Sequence, residues 1–239
     1  MLYQRISRHF KRQDWFAAFL DLLIVVAGIF IGLQVTEWNI ARLEAKQEKA
    51  YLEQILLETT LSIDRNSYHI DKLNEWIGYH KVAIQALETG ELKPEDMHDV
   101  AKSFESLLFS STPHMQKESI EDLTSSGKFS VFKNTELVSS IKDAVTLHNT
   151  ILTSFNAMQL RIYSKSSYLD GMVASFDRGD DFSRFADFDF AALSKDRTFI
   201  RHLKNIVITL EVNKRWIDTL RNAQINVQDM LQAELERAD

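Results

Sequence analysis

The sequence contains no cysteine, and its 239 residues include only seven glycines and two prolines. The absence of cysteine excludes disulfide bonds, thiolate zinc sites and cysteine nucleophiles. The scarcity of glycine and proline leaves few residues for the turns of an all-β protein and favours long helices. Hydrophobic residues make up 45% of the chain and charged residues 26%, which is typical of a folded protein. We therefore expect an all-α fold.

The common motifs of catalysis and nucleotide binding are also absent. The chain has no H-E-x-x-H, no P-loop, no glycine-rich dinucleotide fingerprint and no G-x-S-x-G. No set of acid, base and nucleophile converges in the sequence, so we predict no catalytic residues and a protein that is not an enzyme. His114 and Glu118 have a spacing that two metal ligands can use, but a third ligand is missing. We accordingly expect no metal site and no cofactor.

Negative charge predominates, with a formal net charge of -6. Residues 1–37 hold four basic and three acidic side chains, so the acidic excess lies in the rest of the chain. An acidic body argues against a nucleic-acid partner, because neutralising phosphates requires a basic surface. A basic N-terminal segment is instead suited to anionic lipid headgroups.

One long apolar run extends from Trp15 to Val35, and Asp21 is the only charged residue within it. As a helix, its 21 residues cover about 31 Å, which matches the hydrocarbon core of a bilayer. Trp15 and Trp38 flank the run, where interfacial aromatic side chains are expected. We therefore predict a transmembrane helix at residues 15–38.

Two alternatives to a membrane span are a cleaved signal peptide and a buried core helix. The run is long for a signal peptide, and no small-residue cleavage pattern follows it. A core helix would need an equally apolar partner, and no comparable stretch exists elsewhere in the chain. The membrane span remains the preferred interpretation, preceded by a basic tail at residues 1–14.

One face of the predicted span differs from the rest. Gly28 and Gly32 form a G-x-x-x-G pair, which permits close approach of two membrane helices. A carboxylate within a span is costly towards lipid, so Asp21 is expected to face protein or water. Steps of three and four residues place these positions on one stripe, the predicted membrane helix-packing face: Asp21, Val25, Gly28, Gly32 and Val35.

The helical pattern continues beyond Trp38, since residues 39–77 contain no glycine or proline. Heptad spacing indicates a bundle or coiled-coil seam. Its two series are Leu56, Ile63, Ile70, Ile77 and Ile84, and Thr59, Asn66, Leu73, His80 and Leu87. We predict one helix of roughly 70 residues that ends near Gly90, with Pro94 starting a new helix.

Two further long helices are predicted. One begins with a cap at Asn134 or Thr135 and keeps its apolar register as far as Phe176, and His148 lies on its core face as a structural histidine. The other extends over about 195–236, after an acidic and aromatic loop at 176–190 that is expected to cap the bundle or to bind a partner. Its predicted inner face comprises Phe199, Leu203, Ile206, Leu210, Asn213, Ile217, Leu220, Gln224, Val227 and Leu231. Residues 39–239 are thus expected to form an elongated antiparallel helical bundle on the membrane helix.

The stretch "LTSSGKFSVFKNTEL" permits two interpretations. Gly127 and Lys128 follow two serines, an arrangement that can bind an anion. A helix C-cap with a left-handed glycine explains the same residues without any ligand. The cap is the preferred interpretation, and Gly127 and Lys128 are kept as weak candidates for a ligand loop.

Two blocks resemble a bacterial family of single-span membrane proteins, domain of unknown function family 6090. The first is "LLIVVAGIFIGLQVTEWN" with its preceding acid, where the matching positions are Asp21, Gln34, Trp38 and Asn39. The second is "SIEDLTSSGKFSVFKNTEL", where they are Leu123, Ser125, Ser126, Gly127, Asn134, Glu136 and Leu137. Asp21 departs from the glutamate that is more frequent in the family. The resemblance covers under a fifth of the chain and implies the architecture and a bacterial source, but no activity.

These observations favour a membrane-anchored helical interaction or scaffold protein. Its expected partners are the lipid bilayer and either another membrane protein or a second copy of the chain. An extracytoplasmic sensor or ligand-binding bundle that signals through its membrane helix is the alternative. The N-terminal flank carries more Lys and Arg than the segment after the span, which predicts a cytoplasmic N-terminus in the bacterial inner membrane and a periplasmic or extracellular bundle.

Overall fold

The computed structural model describes the backbone of residues 15–163, 166–177 and 184–238. Side chains are described for residues 19–160, 168–169, 171–173 and 188–237. The chain divides into two compact units, Met1–Ala50 and Tyr51–Asp239. The predicted basic tail at 1–14 lies outside the described residues.

Helices dominate both units. The first helix, α1, extends over Trp15–Thr89. The other helices are α2 at Met97–Glu105, α3 at Glu118–Ser126, α4 at Thr135–Tyr163, α5 at Ser166–Met172, α6 at Phe190–Leu193 and α7 at Arg197–Ala238. Short 3-10 turns occupy Pro94–Asp96 and Lys128–Val131. The prediction of an all-α fold is confirmed.

A small antiparallel hairpin is the addition to this helical fold. It pairs β1, Ala174–Asp177, with β2, Arg184–Asp187. The prediction that the long helix of α4 continues to Phe176 is wrong, because α4 ends at Tyr163 and Phe176 pairs with Phe185 in the hairpin. Aromatic residues favour strands, and Gly171, near the end of α5, is a poor helix former.

Several helix ends lie where the sequence indicates them. Gly90 follows α1 with a φ of 71°, a left-handed conformation that glycine adopts without steric cost. Its N–H donates to the carbonyl of Ala86 at 3.0 Å, which closes the last turn. At the start of α4, the Oδ1 atom of Asn134 accepts hydrogen bonds from the N–H groups of Glu136 and Leu137, both at 3.0 Å. The N-cap is therefore Asn134 rather than Thr135.

We call the second unit, Tyr51–Asp239, the bundle. Hydrogen bonds join α1 to α7 in reverse order along the chain, from Thr60–Gln228 through Asn66–Gln224 and Asn74–Lys214 to Lys81–Glu211. The two helices are therefore antiparallel. Asn134 at the start of α4 bonds to Glu234 near the end of α7, so α4 begins beside the C-terminal end of α7.

The core of the bundle consists of two separate apolar clusters. The Leu52 cluster comprises Leu52, Ile55, Ile120, Leu123, Phe132, Leu137, Ile141, Ala144, Val227 and Leu231. The Phe199 cluster includes Leu73, Leu87, Val100, Phe104, Leu169, Leu193, Phe199, Leu203, Leu210 and Ile217. Along α1, the buried side chains between the two clusters are polar: Glu58, Thr59, Ser62 and Asn66. A polar layer thus separates the two halves of the core.

The seams predicted from periodicity form this core. On α7 every predicted position is buried, from Phe199 to Leu231 and including Asn213 and Gln224. On α1 the second heptad series is buried throughout, whereas Leu56, Ile63 and Ile84 of the first series are only half-buried. The first-series positions therefore flank the core, and the second series lies at its centre.

Candidate functional sites

The N-terminal unit contains the single helix among the described residues that is long and apolar enough to cross a membrane. Side chains from Phe19 to Gln47 are exposed, apart from half-buried Ala27. None of the residues that the structure describes covers this apolar segment, which includes Phe30 at 63% and Ile31 at 62% exposure. Such extensive apolar exposure is unfavourable in water.

The predicted helix-packing face lies wholly on α1. Val25 and Val35 are 58% and 57% exposed, and Asp21 is exposed as well. A Cβ atom added to Gly28 or Gly32 would meet no other atom within 4 Å. The hydroxyl of Thr36 donates to the carbonyl of Gly32 at 2.9 Å. The face is accessible, and its role in packing stays a prediction.

The two predicted interfacial tryptophans differ in how they are described. Trp15 begins α1, but its side chain lies outside the described residues. Trp38 is 65% exposed, and the guanidinium of Arg42 lies 5.9 Å from the centre of its ring. An aromatic ring beside a cation is suited to a lipid headgroup region.

Gly127 has the conformation expected of a helix cap. Its φ is 68° and its ψ is 16°, and it ends α3 with its N–H donating to the carbonyl of Thr124. Lys128 follows as an exposed residue at the start of a 3-10 turn. A groove of about 570 Å³ adjoins Gly127, and the lysine that lines it is Lys142, whose Nζ atom lies 4.9 Å from the centre of the Phe129 ring. The cap accounts for Gly127, and any ligand role of Gly127 and Lys128 stays a prediction.

The most distinctive feature of the bundle is an extended segment buried among its helices. We call this segment, residues 109–117, the strap; it has no helix or strand of its own and connects α2 to α3. Ser111 and Pro113 within it are buried. Non-helical backbone inside a bundle needs hydrogen-bond partners from elsewhere, because an unpaired buried polar group costs about 1–3 kcal/mol.

Side chains from α1, α4 and α7 supply those partners along the strap. The amide of Gln159 bonds to the Ser110 hydroxyl, and the Nδ2 atom of Asn213 donates to the carbonyl of Ser111 at 2.9 Å. At His114 the carbonyl accepts from Asn66 at 2.8 Å and from Gln224 at 3.0 Å. The N–H of Gln116 donates to the Ser62 hydroxyl at 2.8 Å. The buried polar layer of the bundle therefore supplies hydrogen-bond partners to the backbone of the strap.

A buried carboxylate continues this layer beyond the strap. Glu58 is 5% exposed, and its Oε1 atom accepts the Ser119 hydroxyl at 2.6 Å and the Ser119 N–H at 3.2 Å. The N-cap residue of α3, Lys117, makes no side-chain cap of its own. Glu58 thus caps α3 from a different helix, where a negative charge is favoured by the helix dipole.

Three histidines lie in or beside the strap, His114 within it and His69 and His148 on the neighbouring helices, and each has a pKa below its ordinary value. Burial lowers the pKa of His148, with help from the charge of Lys117. Burial and then the charge of Arg65 lower the pKa of His114, and the same two causes act on His69. The backbone of Pro113 has only a carbonyl to offer, so the imidazole of His148 is the donor in that hydrogen bond; this bond and one with the Asn149 side chain favour the protonated ring and offset part of the lowering of its pKa. At all three histidines the shift of the pKa favours the neutral imidazole.

A fourth histidine lies in the Phe199 half of the core. His80 is fully buried, with its Nδ1 atom 2.7 Å from the hydroxyl of Ser103 on α2. Its Nε2 atom has no partner among the described residues. Burial lowers the pKa of His80 to about 4. This agrees with the interpretation of His80 as a structural polar residue on the α1 seam.

A second groove, of about 760 Å³, lies between α4 and α7. Met158, Ile206 and Trp216 contribute apolar surface to it, and His202 and Asn205 contribute polar groups. Ile208 lines the same groove and is 58% exposed. The mixture of apolar walls with a few polar groups is typical of sites for small amphipathic molecules.

No metal site is found in the part of the chain that the structure describes. There, no three or more histidine, aspartate or glutamate side chains lie close enough together to hold an ion. His114 belongs to the strap, whereas Glu118 begins α3 and accepts the N–H of Lys117.

The acidic and aromatic loop is described only in part, since residues 178–183 and the side chains of 174–187 lie outside the described set. Phe188 packs edge to face on Phe104, with 4.7 Å between ring centres, and Phe190 also contacts the Phe199 cluster. Asp189 caps α6 by accepting the N–H of Ala192 at 3.0 Å. The described end of the loop therefore packs against the core.

The strap is the feature that sequence reasoning missed. The sequence places Asn66, Asn213 and Gln224 on the inner seams of two helices, which signals buried polar contacts. It gives no register between those helices and "FSSTPHMQK", so the partners were not identifiable from spacing alone.

Comparison of the chain with protein-family models, with curated proteins and with solved structures found no match. The resemblance to domain of unknown function family 6090 therefore remains a prediction.

Proposed function

We propose that this chain is a membrane-anchored helical interaction protein that acts through partner proteins and has no catalytic activity of its own. The observation that carries the proposal is the exposed apolar segment of α1 from Phe19 to Val35. A helix with apolar side chains on all sides and no protein around them is stable in lipid, where its backbone is already hydrogen-bonded. The first partner is thus the lipid bilayer.

The proposed location is the inner membrane of a bacterium, crossed once. The distribution of Lys and Arg supports a cytoplasmic N-terminus and a periplasmic or extracellular bundle. The exposed Trp38 beside Arg42 is consistent with an interface at that end of the span.

The proposed contact within the membrane is the face formed by Asp21, Val25, Gly28, Gly32 and Val35. Its partner is another membrane protein or a second copy of the chain. The open space at Gly28 and Gly32 supports this choice, since a neighbouring helix can approach the backbone there.

A non-catalytic role is supported by how the bundle uses its buried polar groups. Glu58, Ser62, Asn66 and Gln224 bond to the strap or to the start of α3. These side chains hold the fold together and are not free to act on a substrate.

A sensor or ligand-binding bundle is the second candidate, and the groove between α4 and α7 favours it. The groove's volume of about 760 Å³ is that of a small-molecule site. An amphipathic ligand such as a fatty acid should raise the melting temperature of the full chain. Ala157→Trp, which fills the groove, should abolish that rise, and the absence of any rise with fatty acids would argue against this candidate.

Purification from membranes tests the interaction function. The wild-type chain, extracted in mild detergent and crosslinked before extraction, should retain a specific membrane partner or a second, differently tagged copy. Gly28→Ile combined with Gly32→Ile should remove that partner, because branched side chains hold the helices apart.

The matched control changes apolar residues on the opposite side of the same helix. Leu23→Ile combined with Phe30→Ile should leave the association intact. Equal association of both double variants would contradict the proposed face, and a wild-type chain that stays in the soluble fraction would contradict the membrane anchor.

A further inference from the structure

The strap is attached to the bundle through a series of hydrogen bonds and through a few apolar contacts, among them Phe109, which packs edge to face on Trp76 of α1 with 5.4 Å between ring centres. Its backbone bonds to Asn66 on α1 and to Asn213 and Gln224 on α7, and Met115 is its one side chain packed against the Leu52 cluster. A segment whose backbone is held by many side-chain hydrogen bonds depends on the charge state of the groups beside it.

Most of the charged and titratable groups around the strap are basic side chains. Helix α1 contributes Arg65 and His69, α4 contributes His148, and the strap contributes His114 and Lys117. Two acidic residues are also nearby. The charge of Glu118 at the start of α3 raises the pKa of His114, and Glu58 accepts a hydrogen bond from the Ser119 hydroxyl. Helix α7 faces the strap with the neutral amides of Asn213 and Gln224, and its Arg221–Asp218 pair precedes Gln224 by one turn.

His148 shows why a proton here weakens the attachment. Its ring donates to the carbonyl of Pro113, and its Nδ1 atom is buried without a partner among the described residues. Protonation turns Nδ1 into a second donor without an acceptor among the described residues, in a site that is 6% exposed. The hydrogen bonds with Asn149 and Pro113 favour the protonated ring and offset part of this cost. The added charge also lies near Lys117 and His114, which both repel it.

We propose that the strap is a proton-sensitive element of the bundle. Acidification charges His69, His114 and His148 and releases residues 109–117 from the buried polar side chains of α1 and α7. Release uncovers Asn66, Asn213 and Gln224, whose amides then become available to another extended backbone. The bundle thereby acquires a second conformation at low pH without unfolding its helices.

The direction follows from proton linkage. Each of the three histidines has a lower pKa with the strap bound than in the unfolded chain, where 6.5 is the ordinary value. The contribution of these histidines to the free energy that favours the bound strap is therefore at its maximum above pH 6.5 and decreases as the pH falls below that value. Glu118 offsets part of the effect at His114, because its charge favours the protonated ring.

Hydrogen–deuterium exchange of the full chain in detergent micelles tests the proposal. Peptides that cover residues 109–117 are compared with peptides from α4 and α7 at pH 7.5 and pH 5.5, after correction for intrinsic exchange rates. We expect the protection of the strap, relative to the helices, to fall about tenfold at the lower pH. Dividing the protection of the strap by that of the helices corrects for any loosening of the whole bundle caused by protonation of His80.

Three variants test whether His69, His114 and His148 cause the loss of protection in the strap. Replacing His69, His114 and His148 together by glutamine should remove the relative loss of protection. Arg65→Gln, at an exposed position that does not endanger folding, should reduce it, because Arg65 lowers the pKa of two of the histidines. His98 is exposed and is not one of the three histidines at the strap, so His98→Gln should leave the relative loss of protection unchanged.

The proposal is wrong if the wild-type strap keeps its relative protection at pH 5.5. It is equally wrong if the loss persists in Arg65→Gln and in the triple variant to the same extent as in the wild type. Circular dichroism at both pH values should show the same helix content, since the helices are not expected to unfold.

Discussion

Asn66 and the backbone of His114 are joined in both directions: the Nδ2 atom donates to the carbonyl at 2.8 Å, and the Oδ1 atom accepts the N–H at 2.9 Å. The two residues are 48 positions apart in the sequence. Nδ2 also donates to the Oε1 atom of Gln224 on α7 at 2.8 Å. One fully buried amide therefore connects two helices to the strap.

Asn66→Leu should destabilise the bundle by about 2–3 kcal/mol, since it leaves the N–H of His114 and the Oε1 atom of Gln224 buried without a partner. Urea unfolding of the full chain in detergent, followed by circular dichroism, measures this loss. Asn74→Ala is the matched control: Asn74 is exposed on the same helix and bonds to half-buried Lys214, so a change within about 0.5 kcal/mol is expected. Similar losses for the two variants would show that the strap contributes little to stability.

Two glycines should respond to alanine with opposite signs. Gly127 has a φ of 68°, where a Cβ atom is strained, so Gly127→Ala should cost about 1–2 kcal/mol. Gly78 lies inside α1, is exposed and has no atom within 4 Å of an added Cβ, so Gly78→Ala should stabilise the bundle by about 0.5–1 kcal/mol. A lower melting temperature for Gly127→Ala and a higher one for Gly78→Ala would agree with a left-handed Gly127 and a helical Gly78. A stabilising Gly127→Ala would contradict the left-handed cap.

The start of α4 offers a choice between two caps that the sequence leaves open. Asn134→Ala should cost about 1–2 kcal/mol, because it removes the acceptor for the N–H groups of Glu136 and Leu137 and the bond to Glu234. Thr135→Ala, at an exposed first helical position, should change stability by less than about 0.5 kcal/mol. Chemical unfolding of both variants distinguishes them, and a larger effect at Thr135 would reverse the assignment.

The sequence was sufficient to predict the helices because their signal is local. Heptad spacing identified the buried face of α7 from Phe199 to Leu231, and single residues such as Gly90 marked helix ends. The hairpin was missed because Phe176 continues the apolar register of α4, although its strand pairs with β2. The strap was missed because its contacts join residues far apart in the chain, as Asn66 and His114 are. No local pattern encodes such a register.

His80 should make the stability of the bundle depend on pH. Its pKa is about 4 in the folded chain, below the ordinary 6.5, because burial disfavours the charged ring. The stabilisation is complete above pH 6.5 and decreases as the pH falls towards 4, by about 3 kcal/mol in total. Urea unfolding at several pH values should show a shallower slope for His80→Gln than for the wild type. His98→Gln, which alters an exposed histidine, should keep the wild-type slope.

The proposed orientation can be tested by cysteine labelling, because the chain has no cysteine of its own. Ser130→Cys introduces a thiol at an exposed position of the bundle, and Ser7→Cys introduces one in the N-terminal tail. In intact cells of a Gram-negative host, a membrane-impermeant maleimide should label Ser130→Cys and should spare Ser7→Cys until the inner membrane is opened. Such a pattern is expected because Lys and Arg near the N-terminal end of a span favour the cytoplasmic side. Protection of Ser130→Cys, with labelling only after lysis, would place the bundle in the cytoplasm and reverse the proposed orientation.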